Sequence, residues 1–117
     1  MLPEDRDPAY LWDMLEAARE IESMLNEYDL AAFLADRVML RAIERSVEIL
    51  GEAARCISST YQTAHPEIPW REIIGQRNIL AHEYGQIDHE LLYKTAKEDV
   101  PVLIIQIEQL LPPLDND

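Results

Sequence analysis

Glycine, cysteine and the basic residues are scarce in this chain of 117 residues. Three glycines are too few for a fold built from many tight turns, so the composition disfavours a β-rich fold. The single cysteine, Cys56, excludes an intrachain disulfide. The sequence has no secretory signal and no apolar run near the roughly 18 residues that indicate a membrane span. We therefore expect one cytoplasmic domain over residues 1–117, with loose ends at 1–7 and 112–117, and no membrane association.

Ten basic residues stand against 23 acidic ones, which gives a formal net charge of −13. Such a chain should repel nucleic acid at long range. The basic residues are unevenly placed, however, because six of the ten lie between positions 37 and 77 and all six are arginine: Arg37, Arg41, Arg45, Arg55, Arg71 and Arg77. A guanidinium is a planar fork of donors suited to phosphates and carboxylates. These arginines therefore pair with nearby glutamates or face an anionic ligand.

Hydrophobic periodicity and capping signals divide the chain into four helical segments. The predicted helices cover roughly 8–28, 31–61, 70–83 and 89–111. Asp7 followed by proline is a start signal with Asp7 as N-cap, and Asp88 is the predicted cap of the last helix. Pro101 should kink or split that helix, since proline lacks an N–H and crowds the preceding turn. The predicted fold is all-α, an antiparallel up-and-down four-helix bundle with a kinked last helix.

The third helix contains GQRNILAHEYG, residues 75–85, in which polar residues interrupt an apolar pattern. At about 100° per residue, Arg77 falls in the middle of the apolar stripe, whereas Asn78 and His82 lie together on the other flank. A buried arginine is costly unless its charge is paired. Three explanations remain open: a carboxylate partner inside the bundle, a subunit interface, or a cleft that receives an anion.

The unperturbed pKa of a histidine side chain is about 6.5, so His82 is a candidate general acid or base, although a histidine near a helix end is often only a surface group. Asn78, four residues earlier, could orient its ring. A guanidinium beside an imidazole suits RNA cleavage, in which the 2′-hydroxyl attacks the adjacent phosphate. Arg77 would stabilise charge on the phosphorane, and His82 would move protons.

Helix geometry limits this pairing, because side chains five residues apart point about 140° away from each other. The helix would have to loosen near Gly85, or two copies would have to build a shared cleft across a two-fold axis. The second arrangement would also bring the arginine-rich sides of two subunits to the site, with Arg41 and Arg45 as candidate RNA-binding residues.

The sequence RNILAHEY matches the R-x4-H-x-Y motif and resembles the HepT-type toxins of the HEPN superfamily. Flanking segments agree with this family over roughly residues 8–112: RAIERSVEILGEAARCIS, HPEIPWREIIGQRN and GQIDHELLYKTAKEDVPVLIIQIEQL.

The resemblance implies a HEPN-like helical homodimer with metal-independent endoribonuclease activity, acting as the toxin of a type VII-like toxin–antitoxin pair. Its antitoxin would be a minimal (MNT-type) nucleotidyltransferase that uses ATP as AMP donor and AMPylates a motif tyrosine. Carried over to this sequence, Arg77 and His82 are the catalytic pair, Asn78 supports them, and Tyr84 is the modified residue. The toxin itself needs no cofactor. An attached AMP would add bulk and negative charge where the RNA phosphate should bind.

Two alternatives accompany this interpretation. The chain could be a non-catalytic helical dimer that docks a nucleotidyltransferase, a role that its acidic first helix favours. A metal site formed by His65, His82 and His89 is disfavoured, because His82-Glu83 is not part of an H-E-x-x-H pattern.

Overall fold

The computed structural model describes residues 3–82, 85 and 87–111, with the backbone alone at 3, 4, 81 and 82. A short 3-10 helix, Pro3–Arg6, precedes six α-helices. They are α1 (Asp7–Leu25), α2 (Leu30–Ala35), α3 (Arg37–Cys56), α4 (Ser59–Ala64), α5 (Trp70–His82) and α6 (His89–Leu110). None of the described residues is in a β-strand, and the predicted all-α class is confirmed.

The four long helices share one hydrophobic core. Helix α1 packs against both α3 and α6, and α5 packs against α3. The most deeply buried side chains of this core include Met14, Ile21, Phe33, Ile43 and Ile107. Each contributes about 1.5–3 kcal/mol through removal of apolar surface from water. Across the described residues, no helix is long and apolar enough to cross a bilayer.

The prediction of one continuous helix over 31–61 is wrong, because two polar caps divide this region into α2, α3 and α4. At the first break Asp36 has an extended backbone, and its Oδ1 accepts a hydrogen bond from the Met39 N–H at 3.0 Å. The Tyr28 hydroxyl donates to Asp36 Oδ2 at 2.7 Å and lowers the pKa of this carboxyl. At the second break Ser58 caps α4 in the same way through Tyr61. Side-chain oxygens thus offer the backbone an alternative to helix continuation.

Asp7 is not the N-cap of α1, contrary to the prediction. Arg6 occupies the cap position, and Asp7 is the first helical residue with its carboxylate buried. Its two oxygens accept hydrogen bonds from the Ser58 N–H at 2.8 Å and the Ser58 hydroxyl at 2.7 Å. Within the segment 1–7, which was expected to be loose, Pro3–Arg6 is helical and Asp7 ties the start of α1 to the joint between α3 and α4.

We expect Asp7→Ala to lower the free energy of unfolding by about 1–3 kcal/mol, because two part-buried donors of Ser58 lose their acceptors. Urea denaturation measures the change. Asp13→Ala, which removes an exposed carboxylate from the same helix, is the matched control and should cost less than about 0.5 kcal/mol. Equal losses in the two variants would contradict the role of Asp7.

Helix α6 runs from His89 to Leu110 through Pro101, so the split that was one of the two expected outcomes does not occur. Asp88 caps this helix as predicted, and its Oδ1 accepts a hydrogen bond from the Leu91 N–H at 3.0 Å. The His89 ring is hydrogen-bonded through Nε2 to the buried carboxylate of Glu44, at 2.5 Å. This contact ties the start of α6 to α3. Residues 112–117 lie outside the described residues.

Candidate functional site

Arg77 lies in the second half of α5, on the side of the helix that packs against α3. Its Cβ sits directly over Gly51 of α3, so closely that a Cβ added to Gly51 would collide with it and lie 2.9 Å from the carbonyl oxygen of Ile73. Arg77 therefore lies on the packed side of α5, as its predicted position within the apolar stripe requires. The backbones of α3 and α5 approach closely at this point because Gly51 has no side chain.

The guanidinium of Arg77 is held at both of its terminal nitrogens. Nη2 forms an ion pair with Glu52 Oε2 at 3.1 Å, and Nη1 donates a hydrogen bond to Asn78 Oδ1 at 3.1 Å. Nε is buried and finds no acceptor among the described residues. A buried donor without an acceptor costs about 1–3 kcal/mol. Because Nε contributes no hydrogen bond, the two Nη contacts determine where the guanidinium lies.

The carboxylate of Glu52 is itself oriented by Arg55, one turn later on α3. Arg55 donates to both Glu52 oxygens, from Nη2 at 2.6 Å and from Nε at 3.2 Å. The Arg55 hydrogen bonds, with a smaller contribution from the Arg77 charge, lower the pKa of Glu52 against an opposing effect of burial. The Glu52 side chain is 41% exposed and that of Arg77 22% exposed. Arg77 therefore pairs with a carboxylate at the protein surface and not with one inside the bundle.

Arg77 lines one end of an open cleft of about 440 Å³ whose other walls are α1 and α3. Small and apolar side chains and several acidic ones line it. The acidic lining residues are Asp13, Glu16, Glu20, Glu48 and Glu52. Among the described residues, the basic ones that line it are Arg45 and Arg77. In this single chain the cleft has an excess of negative charge, and a phosphate entering it would be attracted only near the two guanidinium groups.

The structure separates the two candidate RNA-binding arginines. Arg45 is 68% exposed, pairs with Glu48 at 3.2 Å and lines the same cleft as Arg77. Arg41 pairs with Glu44, at 3.0 and 3.2 Å to the two carboxylate oxygens, and is not among the residues that line the cleft. Of these two residues only Arg45 shares a surface with Arg77.

His82 is the last residue of α5, and α5 is helical without interruption from Trp70. The step of five positions from Arg77 to His82 therefore corresponds to about 7.5 Å along the axis and about 140° around it. The side chain of His82 and the whole of Tyr84 lie outside the described residues. Asn78 was a candidate to orient the His82 ring, and its side-chain oxygen accepts a hydrogen bond from Arg77.

The other two histidines, His65 and His89, pair with different glutamates in different parts of the fold. His65 pairs with Glu67 at 3.3 Å next to α4, and His89 pairs with Glu44 at the start of α6. Among the described side chains, no group of three or more His, Cys, Asp or Glu residues is arranged to hold a metal ion.

Two residues of this site were missed at the sequence level. Glu52 was not singled out, and nothing local to α3 indicates that it meets an arginine of α5. Gly51 did carry a signal, because an isolated glycine inside a helix indicates close approach of another backbone. The spacing between Arg77 and His82 gave no indication that Glu52 of α3 pairs with Arg77.

The sequence profile of the family described as "Ribonuclease HepT-like" matches residues 14–110, which include all of α3, α5 and α6. A Methanocaldococcus jannaschii protein, named as a predicted RNase, is 39% identical over 100 residues that cover 86% of this chain and 92% of that protein. A Thermococcus cleftensis protein, named as a predicted ribonuclease HepT, is 42% identical over 101 residues, with 86% and 92% coverage. A Caldanaerobacter subterraneus protein, also named as a predicted RNase, is 30% identical over 102 residues, with 87% and 91% coverage. No solved structure gave a significant match.

Proposed function

Because the chain belongs to the HepT-like ribonuclease family, we propose that it is an endoribonuclease that cleaves RNA without a metal ion, with Arg77 and His82 as catalytic residues. The observation that carries this proposal is the position of Arg77: its guanidinium is held at its two Nη atoms at the edge of an open cleft. His82 follows five residues later on the same helix. The expected substrate is RNA, and the activity needs no bound cofactor.

In the proposed reaction the 2′-oxygen of RNA attacks the adjacent phosphorus, and the bond from phosphorus to the 5′-oxygen of the next nucleotide breaks. The neutral His82 imidazole takes the proton of the 2′-hydroxyl, and the imidazolium formed in this way gives that proton to the leaving 5′-oxygen. The Arg77 guanidinium stabilises the additional negative charge on the phosphorane oxygens. The products carry a 2′,3′-cyclic phosphate and a free 5′-hydroxyl. Every group used in these steps is a side chain of the protein.

The regularity of α5 favours a site built from two copies of the chain. Because α5 is helical through His82, the Arg77 and His82 side chains of one copy leave the helix in directions about 140° apart. A homodimer with a two-fold axis near α5 would bring Arg77 of one protomer to His82 of the other. It would also bring the Arg45 charges of both protomers to the same region.

Cleavage of a uniformly labelled RNA by the purified chain in excess EDTA tests the proposal. We expect cleavage to persist, to leave 2′,3′-cyclic phosphate ends, and to fall as salt rises, because phosphate contacts release counterions. Activity that disappears with EDTA and returns with a divalent ion would contradict the metal-independent mechanism. Product ends without a cyclic phosphate would contradict attack by the 2′-oxygen.

The biological role that we propose is the toxin of a type VII-like toxin–antitoxin pair, in the cytoplasm. The partner is a minimal nucleotidyltransferase that neutralises the toxin at Tyr84, two residues after His82. In this step the Tyr84 oxygen attacks the α-phosphorus of ATP, pyrophosphate leaves, and the hydroxyl proton is released. The bound AMP would exclude an RNA phosphate by its volume and repel it by its charge.

Co-expression with a minimal (MNT-type) nucleotidyltransferase should add the mass of one or more AMP units to the chain. Intact-mass spectrometry measures this shift. Tyr84→Phe, which keeps the ring but lacks the attacking oxygen, should show no added mass, and Tyr93→Phe is the matched control that should be modified normally. An unchanged mass shift in Tyr84→Phe would contradict the proposal, because AMP would then be attached to another residue.

A second function, a non-catalytic dimer that docks a nucleotidyltransferase, is favoured by one observation. The cleft next to Arg77 is predominantly acidic, and Glu52 partly neutralises the guanidinium. If this were the whole function, Arg77→Ala and His82→Ala would leave every RNA measurement unchanged. Loss of RNA cleavage with retained binding of the nucleotidyltransferase would instead support the ribonuclease.

A further inference from the structure

Glu52 occupies a position that the ribonuclease motif does not include, and three contacts single it out. Its Oε2 lies 3.1 Å from Arg77 Nη2, while Arg55 holds both of its oxygens through hydrogen bonds of 2.6 and 3.2 Å. The chain of contacts thus runs from Arg55 to Glu52 to Arg77. The Arg55 side chain is 53% exposed and that of Arg77 is 22% exposed, so the contacts run from the surface to a more buried guanidinium.

We propose that Glu52 is a positioning residue for Arg77 in RNA cleavage, an inference that rests on the proposed ribonuclease function. Glu52 holds one Nη atom of the guanidinium, and the Asn78 oxygen holds the other at 3.1 Å. Two anchors at the two ends of a planar group fix both its location and the direction of its plane. Each Nη atom retains a second N–H that can donate to a phosphate oxygen.

The close packing at Gly51 explains why a residue of α3 can perform this role. Arg77 Cβ lies over Gly51, the neighbour of Glu52 in sequence, so the α5 side chain leaves its helix directly beside the Glu52 carboxylate. The buried Nε, which has no acceptor among the described residues, adds no third anchor. The orientation of the guanidinium therefore depends on Glu52 and Asn78.

Glu52 is one of several carboxylates in the cleft, and its charge alone would weaken RNA binding. The positioning role and simple repulsion predict opposite results when Glu52 is replaced. Glu16 is the matched control, because it lines the same cleft from α1, is exposed, and has the same charge. Arg77 forms its ion pair with Glu52 and its side-chain hydrogen bond with Asn78.

Steady-state cleavage of a fluorogenic RNA separates these effects. We expect kcat to fall about 10-fold in Glu52→Gln, which keeps one acceptor oxygen, and up to about 100-fold in Glu52→Ala, since a misplaced catalytic group loses rate of this order. KM should change far less than kcat. Glu16→Gln should keep the wild-type kcat and show an equal or lower KM. Retention of kcat with a lowered KM in both Glu52 variants would overturn the proposal, because Glu52 would then only repel RNA.

A measurement that needs no RNA distinguishes failure of this inference from failure of the ribonuclease proposal. In ¹⁵N-resolved spectra of the arginine side chains, the Arg77 Nη protons should give separate signals, because the two anchors restrict rotation about the Cζ–Nη bonds; Arg77→Lys assigns them. Glu52→Ala should merge these signals, and Glu16→Gln should leave them separate. Separate signals in Glu52→Ala would overturn the positioning role. If wild-type protein cleaves no RNA while Glu52→Ala merges the signals, the ribonuclease function fails and the structural link stands.

Discussion

Arg77→Ala is expected to reduce RNA cleavage by about 100- to 1,000-fold, the loss seen when one preorganised donor to a developing oxyanion is removed. His82→Ala should cost about 100- to 10,000-fold, since general acid–base transfer contributes a factor of this size. Both variants should still bind the nucleotidyltransferase. Single-turnover cleavage at saturating protein measures the loss in the chemical step, separately from RNA binding.

Two controls make this prediction specific. Arg77→Lys keeps the positive charge but loses the planar fork that can contact Glu52, Asn78 and a phosphate at once, so it should remain strongly impaired. Arg71→Ala removes an exposed arginine from the first turn of the same helix and should remain active. Full activity in Arg77→Ala, with a thermal transition like that of the wild type, would contradict the ribonuclease mechanism.

The second large effect is expected from Gly51→Ala. An alanine Cβ at this position would collide with Arg77 Cβ and lie 2.9 Å from the Ile73 carbonyl oxygen, and neither atom can move without shifting α5. Overpacking of this kind costs about 1–3 kcal/mol, and it must also cancel the gain of about 1 kcal/mol that alanine normally brings to a helix interior. Urea denaturation should therefore show a net loss of stability, with RNA cleavage reduced as Arg77 is displaced.

Gly75→Ala is the matched control for Gly51→Ala. Gly75 also lies inside a helix, but a Cβ added there would meet no atom within 4 Å. Helix propensity alone should then act, and the free energy of unfolding should rise by about 0.5–1 kcal/mol. The two glycine-to-alanine changes are thus expected to have opposite signs. A gain of stability in both would mean that α3 and α5 do not approach closely at Gly51.

Local patterns in the sequence were enough to predict α1, α5 and α6 to within a few residues. Asp88 caps α6 as expected, because a cap involves a side chain and a backbone N–H three residues later. The position of Arg77 on the buried side of α5 followed from the helical period alone. These features depend on neighbours along the chain, and such neighbours can be identified without knowledge of the fold.

The features that the sequence did not reveal depend on contacts across the fold. Asp36 ends α2 with help from the hydroxyl of Tyr28, and Asp7 bonds to Ser58, 51 positions away. The pairing of Arg77 with Glu52 requires the register of α5 against α3, which the close approach at Gly51 determines. Of the three explanations for Arg77, a carboxylate partner inside the bundle is wrong, because the side chain of its partner Glu52 is 41% exposed and lines an open cleft. The interface explanation is retained in the proposed two-protomer site.

The central claim is that Arg77 and His82 from different copies of the chain cleave RNA together. The most direct test is to mix the Arg77→Ala and His82→Ala variants. Arg77→Ala and His82→Ala protein would be denatured together, refolded and assayed against each variant refolded alone. Mixed dimers keep one Arg77 and one His82 on different protomers, so the account predicts that mixing restores a substantial fraction of wild-type cleavage. Verified mixed dimers with no more activity than the separate variants would contradict it.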